Sequence, residues 1–274
     1  MSVDVLSERH GPVTVVTLHR PDRRNAWTPA LEEQYFDLLD DLDNDPDVRA
    51  IVVTGSGRGF CPGMDAEELS VRTDAADPST SRRRPATHAL SVRKPMVAAI
   101  NGACAGIGLL QVLACDIRFA AEDAGIATSF TRRGLVAELG MPWLLVRLIG
   151  HAAATDLLLS GRTVRGSEAA GLGLVSAATP RADVLAVALA YATDLAENCS
   201  PLAMSLVKDQ LRAEWQRSLE QSSQEARRLV QQPALRADFA EGVASFVSRR
   251  APRFAPLPRR AGQLAGDQPS ALDA

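Results

Sequence analysis

The run from Lys94 to Asp116, KPMVAAINGACAGIGLLQVLACD, constrains this chain most, because twenty-one consecutive residues inside it carry no charge. Eighteen or more such residues make a candidate membrane span. Pro95, the Asn101-Gly102 pair and three glycines within seven residues would break a spanning helix. The run reads better as a short buried strand, a turn and the start of an apolar helix packed inside a folded domain. The glycine-punctuated break between strand and helix is the expected functional centre.

At 274 residues the chain can bury one large core, alone or with an appendage. Its net charge of -3 gives no basic excess for nucleic acid or an acidic membrane surface, so neither is an expected partner. No apolar signal segment is visible near the N-terminus. Four cysteines (Cys61, Cys104, Cys115 and Cys199) form no CxxC pair and no ligand spacing with histidine, so free thiols in a reducing cytoplasm and no metal site are expected. Of the 30 basic residues only Lys94 and Lys208 are lysines, and neither has a setting suited to Schiff-base chemistry.

Taken in order, residues 13–18 read as a strand after a turn at Gly11-Pro12. Thr28 caps a helix that starts at Pro29, carries Leu31, Tyr35, Leu38, Leu39 and Leu42 on one face, and stops at Asp45-Pro46. A buried strand at 50–54 leads into GSGRGFCPGMD. Residues 70–93 are a polar loop, either a lid or a plain connection. Short strands at 117–120 and 125–128 follow, then helices at 141–149, 151–159 and 166–172, a strand at 174–176 and a helix at 183–198. From Ser200-Pro201 to Arg250 the chain reads as helical, interrupted at Pro233. This gives an α/β core over 1–199, a helical region over 200–254 that packs on the molecule or on a neighbouring subunit, and a disordered tail over 255–274.

Two glycine loops compete for a chemical role. GSGRGF fails as a dinucleotide loop because Phe60 takes the last glycine position and Pro62 interrupts any following helix; no GxxxxGK[ST] or GxSxG is present either. Such loops can instead present bare backbone N–H groups, and a helix N-terminus adds partial positive charge. Two N–H groups aimed at one oxygen would stabilise an oxyanion, each worth roughly 3 to 4 kcal/mol.

Six segments, RPDRRNAW, GRGFCPGMD, KPMVAAINGACAGIGLLQVLACD, FTRRGLVAELGMPW, LLLSGRTVRGSEAAGLGLV and FVSRRAPRF, occur here in an order and spacing that resemble the enoyl-CoA hydratase/isomerase (crotonase) family over residues 3–254. The resemblance implies a repeated β-β-α spiral, a C-terminal helical region that builds homotrimers or dimers of trimers, and an acyl-CoA thioester as substrate. Coenzyme A then arrives with the substrate, and no separate cofactor is implied. It also implies oxyanion donors at the N–H groups of Met64 and Ile107. Ile107 stands where the family usually has glycine. Arg23, Arg24, Ala26, Gly63, Asp65, Ala66 and Phe246 match positions that hold coenzyme A, although solvated loop arginines would read the same way.

The reaction depends on the base. The first of the two hydratase glutamates falls at Leu110 and the second near Gly134, whereas Glu138 matches the single proton shuttle of the family's Δ3,Δ2-enoyl-CoA isomerases. Should Val136, Leu139, Met141 and Trp143 enclose Glu138, desolvation would strengthen it as a base. A surface cap is the other reading of Glu138, a loop-fixing carboxylate is the reading of Asp65, and His88 is the one histidine with access to the site. Isomerisation is the leading expectation. Hydration of a trans-2-enoyl-CoA, as in fatty acid oxidation, and acyl-CoA binding without turnover are the alternatives.

Overall fold

The computed structural model describes residues 2–71 and 83–260. A hairpin comes first, β1 (Val5–His10) paired antiparallel with β2 (Val13–Leu18). Helix α1 (Pro29–Asn44) starts as its sequence predicts, with the Thr28 hydroxyl accepting from the Leu31 N–H at 3.2 Å and Pro29 in the first turn. Three strand-strand-helix turns follow. They are β3 (Ala50–Gly55), β4 (Gly59–Cys61) and α2 (Ala66–Val71); β5 (Met96–Ile100), β6 (Ala103–Ala105) and α3 (Ile107–Ala114); and β7 (Ile117–Ala121), β8 (Gly125–Ala127) and α4 (Met141–Ser160). Next come β9 (Thr163–Arg165), α5 (Gly166–Gly171), β10 (Ala177–Thr179) and α6 (Val184–Asn198).

Each turn of the spiral adds its first strand to one sheet, ordered β1-β2-β3-β5-β7-β10, and its second to another, ordered β4-β6-β8-β9. The strands of the larger sheet are parallel from β2 onward, so helices must cover both faces and the strands read as continuous apolar runs. Alternation decides which residue goes where. Val13, Val15, Ala50, Val52, Val97 and Ala99 face α6, which answers with Val184, Ala188, Ala192 and Ala196 at every fourth position. The opposite residues, among them Val16, Leu18, Ile51, Val53, Ala98 and Ile100, join α1, α3 and α4 in the main core.

Several sequence expectations shift. The strand read at 174–176 forms at Ala177–Thr179; Leu174 and Val175 are buried, but their N–H groups turn to the Ala169 carbonyl, so apolarity there reflects burial without a ladder. The two helices read at 141–149 and 151–159 are one apolar element bent at Gly150 (φ 76°, ψ 165°). Among the described residues α4 alone is long and apolar enough to cross a membrane, but the bend leaves two halves of about 15 Å each against a bilayer core of about 30 Å. The polar segment at 73–85 lies almost wholly outside the described residues. Strands β4, β6 and β9 are too short for any periodicity to reveal them.

The C-terminal region is α7 (Pro201–Ala213), α8 (Leu219–Leu229) and α9 (Pro233–Val247). Besides the break at Pro233 there is one before α8, where Ser218 and Gln221 form a reciprocal capping box. Lys208 of α7 is buried and reaches the Asp116 carboxylate at 2.6 Å and the Lys94 carbonyl at 2.7 Å. Asp116 also accepts from the Met96 N–H at 2.8 Å, so the two ends of the uncharged run are pinched together and fastened to the helical region. Lys94 is itself buried, capping the end of α1 through the Leu42 and Asp45 carbonyls; burial pushes its ammonium down to about 8, against the opposing pull of Asp43 and Asp45.

Residues 255–260, read from sequence as the start of a disordered tail, lie against the core. Leu257 is buried, the Pro258 carbonyl accepts from Arg93 at 2.8 Å, and Arg260 donates to buried Asp43 at 3.0 Å. One apolar side chain and a few polar contacts, among them the Arg260 N–H to the Asn44 side chain at 3.0 Å, hold this strap, which a compositional reading does not detect. Residues 261–274 lie outside the described residues.

Candidate active site

Cys61 and Cys104 are opposite residues in the parallel pair β4–β6. Three residues beyond each stand Met64 and Ile107, so two chain segments leave the small sheet side by side and turn at its edge. Gly63 (φ 113°) and Gly106 (φ 52°) make those turns. A Cβ on Gly63 would sit 3.3 Å from the Ala105 carbonyl oxygen, and one on Gly106 would sit 3.8 Å from the Gly63 Cα, so the two backbones touch where they turn.

The first segment is fixed by Trp27, whose N–H donates to the Gly63 carbonyl at 2.8 Å and whose carbonyl accepts from the Asp65 N–H at 2.9 Å. This parallel bridge uses the neighbours on either side of Met64, which directs the Met64 N–H to the opposite edge. Ile107 is the first residue of α3, so its N–H belongs to the helix's first turn of donors, which have no intrahelical acceptor. The Ile107 side chain is buried in the core.

Met64 and Ile107 open on one cavity of about 80 Å³, and Glu138 lines it as well. Gly63 and Pro62 from the first segment, Gly106 from the second and Leu69 of α2 complete one side; residues 128–130 together with Arg133, Leu135, Glu138 and Leu139 form the other. Two residues of this second wall, Ser129 (φ 64°) and Leu139 (φ 61°), hold left-handed backbone conformations without being glycine. Such strain persists only where surrounding packing enforces it, and it concentrates at functional sites. The Thr128 hydroxyl anchors the segment to the Leu157 carbonyl at 2.7 Å, and the Glu138 carbonyl accepts the Met141 N–H at 3.1 Å as α4 begins.

Glu138 is half-buried, and its apolar surroundings differ from those read in the sequence. Leu139 lines the cavity with it and Met141 is buried beneath, but Val136 is 77% exposed and Trp143 packs edge-to-face on Trp215 under the Arg147 guanidinium. Leu69, Phe130 and Leu135 supply the apolar wall instead. Leu110 is fully buried in the core and Gly134 forms a left-handed turn, so Glu138 is the sole carboxylate among the described residues of the lining.

The remaining candidates separate into groups. Asp65 is buried and receives Arg20 at 3.1 Å and the Glu67 N–H at 3.2 Å; burial opposes its charge, but the Glu67 amide and Arg20 hold its carboxyl below the usual range. It fixes the loop. Ala26 is buried and accepts from Arg20, while Ala66 is the exposed first residue of α2. Arg23 is exposed and bonded to Glu67 at 2.8 Å; Arg24 is exposed in a left-handed turn (φ 54°). Neither arginine lines the cavity. Phe246 is 85% exposed on α9 and also lies outside the lining. His88 pairs with Asp40 at 2.8 Å against the Phe36 ring, so it is not part of the cavity either.

Two contributors were missed. Asn25, buried with φ 63°, donates to the Ser56 and Gly59 carbonyls and accepts from the Arg20 N–H, tying the loop before Trp27 to β4. Its position in RPDRRNAW was the available signal. Of residues 128–130, the sequence reading covers only Thr128, as the end of a strand, and Phe130, as the start of FTRRGLVAELGMPW, and gives neither a place in the site. Cys61, three residues before Met64, is fully buried and does not line the cavity, and burial pushes its thiol up to about 12.

Residues 8–256 match the family model described as enoyl-CoA hydratase/isomerase. The chain is 33% identical over 250 residues to a probable enoyl-CoA hydratase, echA8, of Mycobacterium bovis, covering 91% of this chain and 97% of that protein. It is 28% identical over 256 residues to the 1,2-epoxyphenylacetyl-CoA isomerase of Escherichia coli, with 91% and 97% covered. A crystal structure of a probable enoyl-CoA hydratase/isomerase from Mycobacterium abscessus superposes with a TM-score of 0.82 at 33% identity, covering 92% of this chain and 99% of that one.

Proposed function

Because this chain belongs to the enoyl-CoA hydratase/isomerase family, we propose that it moves a carbon–carbon double bond in an acyl-CoA thioester, with Glu138 as the single proton shuttle. The observation that carries this reading is the meeting of Met64, Ile107 and Glu138 on one cavity, from three separate parts of the chain. In the proposed step the Glu138 carboxylate removes a proton from the carbon next to the thioester carbonyl of a 3-enoyl-CoA. Electrons move onto the carbonyl oxygen, which the Met64 and Ile107 N–H groups receive. The same carboxyl then returns its proton to the far end of the conjugated enolate, giving the 2-enoyl-CoA. No atom is gained or lost. An oxyanion donor of this kind contributes about 10²- to 10³-fold, and a positioned acid-base group about 10²- to 10⁴-fold.

Hydration of a 2-enoyl-CoA is the second reading, favoured by the hydratase names of several relatives. Leucine at position 110, outside the cavity lining, weighs against a two-carboxylate hydratase, since a hydrocarbon side chain cannot exchange a proton. Purified protein given a 3-enoyl-CoA and crotonyl-CoA in parallel, beside Glu138→Gln, separates the readings. Isomerisation that falls at least about a hundredfold in the variant, with thioester binding retained, is the expected outcome. Equal rates in both proteins would sink the Glu138 mechanism, hydration alone would transfer the assignment, and binding with no turnover of either substrate would leave an acyl-CoA binding protein.

A further inference from the structure

The cavity wall formed by Leu69, Phe130, Leu135 and Leu139 is hydrocarbon, yet Arg133 lines it too and is the sole cation among the described lining residues. The neighbouring Arg132 is turned away, donating to the Ser160 carbonyl at 2.9 Å. Arg133 is exposed at the cavity mouth, donates from Nη1 to the Ser129 carbonyl at 3.2 Å and, among the described residues, forms no ion pair. Ser129 is one of the strained non-glycine positions of this wall, so the carbonyl that anchors Arg133 is itself held by enforced backbone geometry.

A guanidinium carries five N–H donors in a rigid planar fork, and one carbonyl contact leaves most of that fork to water that a matching ligand can displace. A hydrocarbon acyl chain offers it no partner. A carboxylate matches it in shape and charge, through two parallel hydrogen bonds. We propose that Arg133 makes this site selective for acyl-CoA thioesters whose acyl end carries a carboxylate. The inference rests on the reading of this cavity as an acyl-thioester site and names the substrate class. The thioester oxygen sits at Met64 and Ile107, the acyl chain follows the apolar wall past Glu138, and its carboxylate pairs with Arg133.

Saturated thioesters test this without turnover. Calorimetry on the intact chain compares succinyl-CoA with butyryl-CoA, adipyl-CoA with hexanoyl-CoA, and free coenzyme A as reference. The wild type binds the carboxylate member of at least one pair about tenfold or more tightly than its uncharged mate. Arg133→Gln removes that preference while leaving free coenzyme A binding unchanged, and Arg133→Lys, which keeps the charge without the fork, restores part of it. Equal affinity within both pairs in the wild type would overturn the proposal. A uniform loss across all ligands, coenzyme A included, would also overturn it, by assigning Arg133 to a coenzyme A phosphate. Absence of binding to every thioester and to coenzyme A would instead fail the parent reading of the cavity, and this inference with it.

Discussion

Lys208 and Asp116 join the C-terminal helices to the end of the chain segment that carries half of the candidate site, through a contact of 2.6 Å. Lys208 is almost wholly withdrawn from water, and its ammonium spans the Asp116 carboxylate and the Lys94 carbonyl. Burial lowers its pKa, against the opposing pull of Asp116.

Lys208→Met removes the cation and leaves Asp116 with the Met96 N–H as its described partner. Breaking a fully buried pair costs about 3 to 5 kcal/mol; the Asp116 side chain is 29% exposed, so a loss of about 2 to 3 kcal/mol is expected. Urea unfolding measures it. The double variant with Asp116→Asn should be less destabilised than the sum of its parts, because neither charge is then left alone.

Gly63→Ala places a side chain at φ 113° and 3.3 Å from the Ala105 carbonyl oxygen. The expected cost is about 1 to 3 kcal/mol in stability. Because Met64 follows directly, kcat on whichever enoyl-CoA proves to be the substrate should fall by about ten- to a hundredfold, with a smaller change in binding. A variant that loses stability but keeps kcat would show that the turn does not position the Met64 N–H.

Asp43 sets an acid limit. It is buried between Arg93 at 2.8 Å and Arg260 at 3.0 Å; burial opposes its charge, but these arginines and the Arg93 N–H hold its carboxyl below the usual range. Between the unfolded value of about 3.9 and the lower folded one, the unfolded chain binds a proton that the folded chain does not. Its contribution is therefore fully present above about pH 4 and is lost as pH falls through the folded value. Thermal melts from pH 7 to pH 3 should fall more steeply for the wild type than for Asp43→Asn, which at pH 7 is less stable by about 3 kcal/mol.

Helix α9 presents Phe239, Val243, Phe246 and Val247 on one face, with Phe239 73% exposed. Large apolar side chains gathered in this way mark a contact surface. The homotrimer that the family resemblance implies would use such a face, and we expect sedimentation of the wild type to show an oligomer. Phe239→Asp combined with Phe246→Asp should yield monomers with unchanged circular dichroism.

The sequence showed most where its signals were chemical and local. Thr28-Pro29 and Ser200-Pro201 announce helix starts, and both hydroxyls cap as read. The uncharged run from Lys94 reads as strand, turn and helix because Asn101-Gly102 and Gly106 interrupt it. The three-residue strands β4 and β6 gave no signal, since pairing in register is a tertiary event; yet their pairing is what brings Met64 level with Ile107. The composition of the Glu138 wall was misread for a related reason. Val136 and Trp143 are close to it in sequence, but a turn of left-handed residues points the chain away, and Leu69 and Phe130 arrive from other elements. Arg133 was visible in FTRRGLVAELG, but nothing in the spacing told it from Arg132.

Lys94 and Lys208, 2% and 7% exposed, are the only lysines in the sequence. A thioester is an acyl donor to amines, and a lysine brought down to about 8 would be unusually nucleophilic if it could be reached. Both are sealed, and the surface cations are arginines, which stay protonated and do not attack. The folded protein therefore offers reactive thioesters, the ligands of its own family among them, no lysine side chain to acylate until it opens.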